Sequence, residues 1–309
     1  WVERFQENWW QTRDGGLIST ECRSSVHTPL GIAMWRPMAE ALGWPEAAIG
    51  WQTIIDLAAD ERGWSRYGHP EWGEFRFGHA HPGYSNAGLL TMASLIYGMS
   101  GARSAKEVRF DDPALRMAVR ELALNTSKYG TVTTDLLDSM AREGPRFLHA
   151  VATFESDTVR LNLERADELR FPLAFVFPAE GTFWGNHPFC ILDEATWVDP
   201  DQADAARRLE SFILETEQQQ LAPTYLLRPT IGSIPLTAPM DLEHGTDPSV
   251  SPESVAALEA PSGEAADAIV ELFAETKRKA TVLLVLDVSG SMAGHKIEAA
   301  VAATTDFVD

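Results

Sequence analysis

FRFGHAHPGYSNAGLL, residues 75–90, decides how the chain is read. EFRFGHA (74–80) alternates apolar and polar residues and predicts a β-strand, and PGYSNAGLLTMASLIYG (82–98) then opens a helix. Ser85 or Asn86 can cap that helix, while Ala87 and Gly88 keep its first turn slim. Such a turn points backbone N–H groups and the positive end of the helix dipole at whatever lies above the strand. The device recurs in VATFESDTV (151–159), where a strand ends in Glu155 and Ser156 begins a helix. Two turns of this kind at the C-terminal ends of parallel strands make a ligand site. Each taken alone is also what an ordinary N-cap looks like, and Glu155 reads equally well as a solvated acid favoured by the dipole.

The flanking sequence repeats the strand–helix alternation. TPLGIAMW (28–35) reads as a strand and RPMAEALG (36–43) as a helix, followed by a helical WQTIIDLAAD (51–60). PALRMAVRELALNTSKYG (113–130) reads as a helix closed by Gly130, TTDLLDSMAREG (133–144) as another, and FLHAVATF (147–154) as a buried strand. LAFVFPAEGTFWGNHPFCILD (173–193) holds two short apolar strands around a glycine and aromatic turn, and QADAARRLESFILETEQQQLA (202–222) is an amphipathic helix. The pattern predicts an α/β fold with mostly parallel sheets. Residues 234–263, rich in Pro, Ser, Gly and acid, read as a linker, and a short helix is expected from about Ala265 to Lys277.

Composition narrows the function. The 309 residues carry 45 acidic against 25 basic side chains, a formal charge of −20, which repels nucleic acid and anionic membrane. No apolar run approaches the roughly 18 residues of a membrane span. Cys22 and Cys190 have no metal-ligand spacing; they read first as buried thiols, with one long-range disulfide as the alternative. His79 and His81, with His69 and His187 elsewhere, could share a metal if both lay on one strand face, but Pro82 bends the chain beside them. Trp72, Phe183 and Trp184 could stack on a ligand or fill core.

SSVHTPLGIAMWRPMAEALGW (24–44), FRFGHAHPGYSNAGLL, EGTFWGNHPFCILD (180–193) and AARRLESFILETEQQQLAPTYLLRP (205–229) occur in an order that resembles the later part of a bacterial type 2 extracytoplasmic (periplasmic) solute-binding protein. The resemblance covers residues 22 to 232 and implies two lobes closing on a solute about a hinge. It implies residues 1–34 as the remnant of lobe 1 with the outgoing hinge, 35–175 as lobe 2, and 176–233 as the return hinge with the end of lobe 1. The first strands of lobe 1 would then lie before Trp1, so the chain reads as a fragment. Ser85, Asn86, Ala87, Glu155, Ser156 and Trp184 are the ligand-binding candidates. Helix amides suit an anion, whereas an unpaired Glu155 argues for a cationic or hydrogen-donating solute. The hinge placement also brings Cys22 and Cys190 towards each other, and a Cα separation beyond about 7 Å would exclude a bond.

TVLLVLDVSGSM (281–292) reads as a buried apolar strand running into Asp287, Ser289 and Ser291, one carboxylate and two hydroxyls able to face one point. Such oxygens suit Mg²⁺. The stretch closely resembles the first motif of a von Willebrand factor A domain, the metal-ion-dependent adhesion site, making 264–309 the start of such a domain with KIEAAVAATTDFV (296–308) as its helix. A Thr and an Asp from later loops would complete the ligand set, so these three residues alone are expected to hold Mg²⁺ weakly or not at all. The combined reading is a non-enzymatic, extracytoplasmic solute-binding module coupled to a module that engages a protein partner. A scaffold with a degenerate cleft is the alternative, and a metal-assisted hydrolase using His79, His81 and Glu155 a third; no GxSxG, HExxH or P-loop is present.

Overall fold

The computed structural model describes residues 5, 6, 9, 10, 15–19, 21–277 and 283–308. The chain divides into two compact units, 1–277 and 278–309. In the larger, β1 (Arg23–His27) is followed by β2 (Leu30–Trp35), α1 (Arg36–Ala41), α2 (Trp51–Ala59), β3 (Phe77–Ala80) and α3 (Asn86–Ser100). Next come α4 (Pro113–Asn125), β4 (Thr126–Gly130), α5 (Thr133–Glu143), β5 (Ala150–Phe154), α6 (Glu155–Glu164) and β6 (Leu173–Val176). β7 (Asn186–Phe189), α7 (Pro200–Ile213), the two-residue β8 (Arg228–Pro229) and α8 (Gly263–Thr276) complete it.

Two sheets define two lobes. The large lobe holds a five-stranded sheet in the order β4-β3-β5-β2-β6, with β3 parallel to β4 and β5 and β2 antiparallel to β5 and β6. Its central strands are apolar on both faces, as a strand covered by helices on either side must be. Trp35, Trp51, Trp64, Phe77, Tyr97 and Phe175 are fully buried in this core. The small lobe has a three-stranded antiparallel sheet, β7-β1-β8, and a minor core of Leu17, Ile18 and Ala195. Cys22 and Cys190 are joined in a disulfide beside that core, their Cα atoms 4.5 Å apart, which corrects the reading of two unpaired thiols.

Other expectations shift for identifiable reasons. The strand expected over 28–35 begins only at Leu30, after Pro29, which has no N–H for a ladder. The helix expected over 113–130 ends at Asn125, because Thr126–Gly130 pairs as an edge strand with β3. The helix expected over 202–222 is α7 and a separate turn, Thr216–Gln219. Residues 234–262 contain no helix or strand, as their composition predicts, yet they form a packed strap. Phe175 N–H donates to Gly245 O at 2.6 Å along the edge of β6, and Asn162 Nδ2 donates to His244 O at 2.8 Å. The short helix expected after this stretch forms as α8 and belongs to the larger unit. It lies on α3 and α4 with Ile269, Leu272 and Phe273 buried.

In the smaller unit, Gly290–Met292 makes a 3₁₀ turn and His295–Val308 forms α9. Residues 283–288 are not the buried strand that their sequence predicts. They have no regular structure, and Leu283, Val285 and Val288 are at least 79% exposed. A strand forms only against a neighbour that takes up its N–H and C=O groups, and no strand lies beside this one among the described residues of its unit. Thr281 and Val282, the start of the expected strand, lie outside the described residues.

Candidate functional site

β3 and β5 are neighbours in the sheet, registered Phe77 to Ala150 and Gly78 to Val151; β5 runs directly into a helix and β3 reaches one through the turn 81–85. From β3 the chain moves outward to β4; from β5 it moves through α6 to β6 at the opposite edge. The strand order therefore reverses between them, the position where open α/β sheets form crevices. The adjacent parallel strands β3 and β5 lead there to the N-termini of α3 and α6, which carry Ser85, Asn86 and Ala87 on one side and Glu155 and Ser156 on the other.

Ser85 is the N-cap of α3, its Oγ accepting from Gly88 N–H at 3.4 Å. Gly88 is needed for closeness: a Cβ there would meet the carbonyl oxygen of Ala80 at 2.3 Å. Gly88→Ala is expected to cost about 1–3 kcal/mol by overpacking, measured by urea unfolding; a loss below about 0.5 kcal/mol would contradict the close approach of α3 to β3. Tyr84, 75% exposed on the same loop, is a surface aromatic that the motif reading passed over. It stacks on His81 with centroids 4.7 Å apart.

Glu155 does not project a free charge. It is fully buried, and Arg228 donates from Nε and Nη2 to its two oxygens, both at 2.7 Å, while Thr246 Oγ1 donates to Oε1. Arg228 also donates to the carbonyls of Asp247 and Val250, and its guanidinium lies 5.3 Å from the Phe177 ring centroid and 5.6 Å from that of Trp184. Ser156 Oγ accepts from Thr28 Oγ1 at 3.1 Å. The carboxylate and Trp184 thus converge around Arg228, whose importance no local motif signals: it is contributed by LLRP, more than seventy positions downstream. Trp184 Nε1–H is buried with no acceptor among the described residues.

The histidines are parted by the end of β3. His79 is fully buried against Phe77, Tyr129 and Phe273, with Nδ1 2.8 Å from Ala80 O, whereas His81 lies beyond the strand, between Tyr84 and Phe273. Among the described residues no three His, Cys, Asp or Glu side chains gather as a metal site, and Glu155 is engaged by Arg228, so the convergence required by the hydrolase reading is not formed. Phe183 and Trp72 belong to the core, Phe183 against Tyr97 and Trp72 against Trp64.

Burial pulls His79 down to about 4, and burial with the nearby Arg76 charge does the same to His149. His149 Nδ1 accepts from both Trp64 Nε1 and Arg76 N–H, which requires it unprotonated. Both folded values lie below the ordinary histidine value near 6.5, so the unfolded chain binds more protons between these limits. The stability held by each neutral ring is complete above about pH 6.5 and falls towards pH 4, by on the order of 1.4 kcal/mol per pH unit at most. Imidazole NMR should show neither ring titrating above pH 5.5; a midpoint near 6.5 for either contradicts its burial.

No family model matches the sequence, and no curated protein matches it. Solved structures do match in fold. A periplasmic thiamin binding protein aligns with a TM-score of 0.53 at 14% identity, covering 86% of this chain and 69% of its own. A Bordetella ferric binding protein aligns at 0.52 with 13% identity, over 84% of this chain and 71% of its own. Maltose-bound MalE3 of T. maritima aligns at 0.55 with 13% identity, over 83% and 72%. The larger unit has the two-lobed fold of periplasmic binding proteins. These structures differ in the ligand that each is named for, and the likeness carries the fold alone.

Proposed function

We propose that this chain is an extracytoplasmic, non-enzymatic solute-binding module that takes a small molecule at the N-termini of α3 and α6. The observation that carries the reading is that the adjacent parallel strands β3 and β5 lead to these N-termini at the reversal point of the sheet, in a fold whose structural neighbours are binding proteins. Ser85, Asn86, Ala87, Ser156 and Trp184 would contact the solute, and the disulfide suits an oxidising compartment. Arg228 compensates Glu155, which removes the main argument for a cation. Helix N-termini and the unmet Trp184 Nε1–H favour a neutral or anionic solute rich in acceptors. The test is thermal unfolding of the purified chain against oxyanions, carboxylates, sugars, amino acids and polyamines. A rise with one acceptor-rich class supports the reading. A rise only with polyamines contradicts the solute class, and no rise with any class favours the scaffold alternative, in which Arg228 fills the place of a ligand.

We further propose that DVSGSM is the first loop of a metal-ion-dependent adhesion site through which a protein partner is engaged. Three groups support it: Ser289 N–H donates to Asp287 Oδ1 at 2.8 Å, and the Ser289 and Ser291 hydroxyls are 3.0 Å apart. This hard-oxygen donor set fits Mg²⁺, which would supply a coordination point for a partner's carboxylate. With only these three side chains, saturating Mg²⁺ is expected to raise the melting temperature by less than about 2 °C. A strong stabilisation would contradict the weak hold expected of these three side chains.

A further inference from the structure

We propose that the Arg228–Glu155 pair is an interlobe latch that fixes the angle between the two lobes, so that the cleft does not open and close freely about its hinge. Arg228 belongs to the small lobe, on β8, which pairs with β1 through Val26 with Pro229 and His27 with Arg228. Glu155 is the first residue of α6, on the large lobe. Among the described residues the lobes are also joined by a slender crossing. Thr28 N–H donates to Gly185 O at 3.0 Å and Leu30 N–H to Phe183 O at 2.9 Å, which ties the outgoing and returning segments into one ribbon. Rotation about such a ribbon needs only a few backbone torsions to change.

The guanidinium lies beside that ribbon, 5.6 Å from the ring centroid of Trp184, and holds the large lobe at several points. Beyond Glu155, it donates to the carbonyls of Asp247 and Val250 in the strap. The strap is itself fastened to the large lobe by Phe175, Asn162 and Arg36, the last donating from Nη2 to Leu242 O at 2.9 Å. Side chains of Arg228 and Glu155 are 7% and 1% exposed, so opening the lobes must break a bidentate charge-assisted pair that is shielded from water. The latch goes beyond solute binding, since it governs the lobes whatever the cleft holds.

The test is the distance distribution between spin labels at Arg120 on α4 and Arg208 on α7, both exposed, in the full chain. The unsubstituted background should give one narrow peak. Glu155→Gln and Arg228→Met, each checked for cooperative unfolding, should broaden it at least twofold or add a second peak. A broad distribution before substitution, or an unchanged narrow one in a folded variant, overturns the latch. Should Arg228→Met fail to fold, Glu155→Gln and the milder Thr246→Val decide by the same reading.

Discussion

Arg228→Ala is expected to destabilise the larger unit by about 3–5 kcal/mol, among the largest effects of any single substitution in the chain. The carboxylate of Glu155 is fully buried and takes both oxygens' main donors from Arg228. Truncating the guanidinium leaves a negative charge that water cannot reach, and two strap carbonyls lose their donor as well. Glu155→Ala should cost a comparable amount by stranding the cation. Removing both charges together is different: the Glu155→Ala/Arg228→Ala double variant should lose much less than the sum of the single losses, because no desolvated charge remains. Urea unfolding of the four proteins measures this coupling. Single losses below about 1 kcal/mol would mean that the pair is solvated and that its burial is misjudged.

Reduction of the Cys22–Cys190 bond, or Cys22→Ser, is expected to cost about 3–5 kcal/mol, felt mainly by the small lobe. The bond spans 168 residues, and the chain-entropy relation places its ceiling at about 5 kcal/mol. Among the described residues its minor core is small: Leu17, Ile18 and Ala195, flanked by Trp9, Val198 and the cystine itself. Thermal unfolding with and without reductant should therefore show a new early transition, accompanied by faster amide exchange in β1 and β7, while the large lobe keeps its protection. An unchanged melting profile after verified reduction would contradict this dependence.

How much was legible in the sequence follows from how local each cause is. The turn 75–90 carries its own strand pattern, its cap at Ser85 and its slim Gly88, and all three recur in the structure. The second turn is equally plain, since Phe154 ends β5 and Glu155 starts α6. What sets Glu155 in its role is not local. Its partners, Arg228 and Thr246, arrive from β8 and from a strap whose composition says only that it lacks regular structure. β4 was hidden for a related reason: TSKYG continues a helical pattern, and only pairing with β3 makes it a strand. The apolar run 283–288 shows the converse, a strong strand pattern that remains exposed because burial requires a neighbour. The disulfide could be foreseen only as an alternative, because spacing leaves pairing open until the hinge brings the ends together.

The most direct test of the proposed site is a backbone amide NMR titration of the full chain with the solute class that gives the strongest thermal shift. Saturable shifts concentrated at Ala87, Ser156 and the Trp184 indole N–H are predicted, with the large-lobe core unaffected. Saturable shifts confined to other surfaces, with these groups unmoved, would contradict a binding site at the adjoining ends of β3 and β5.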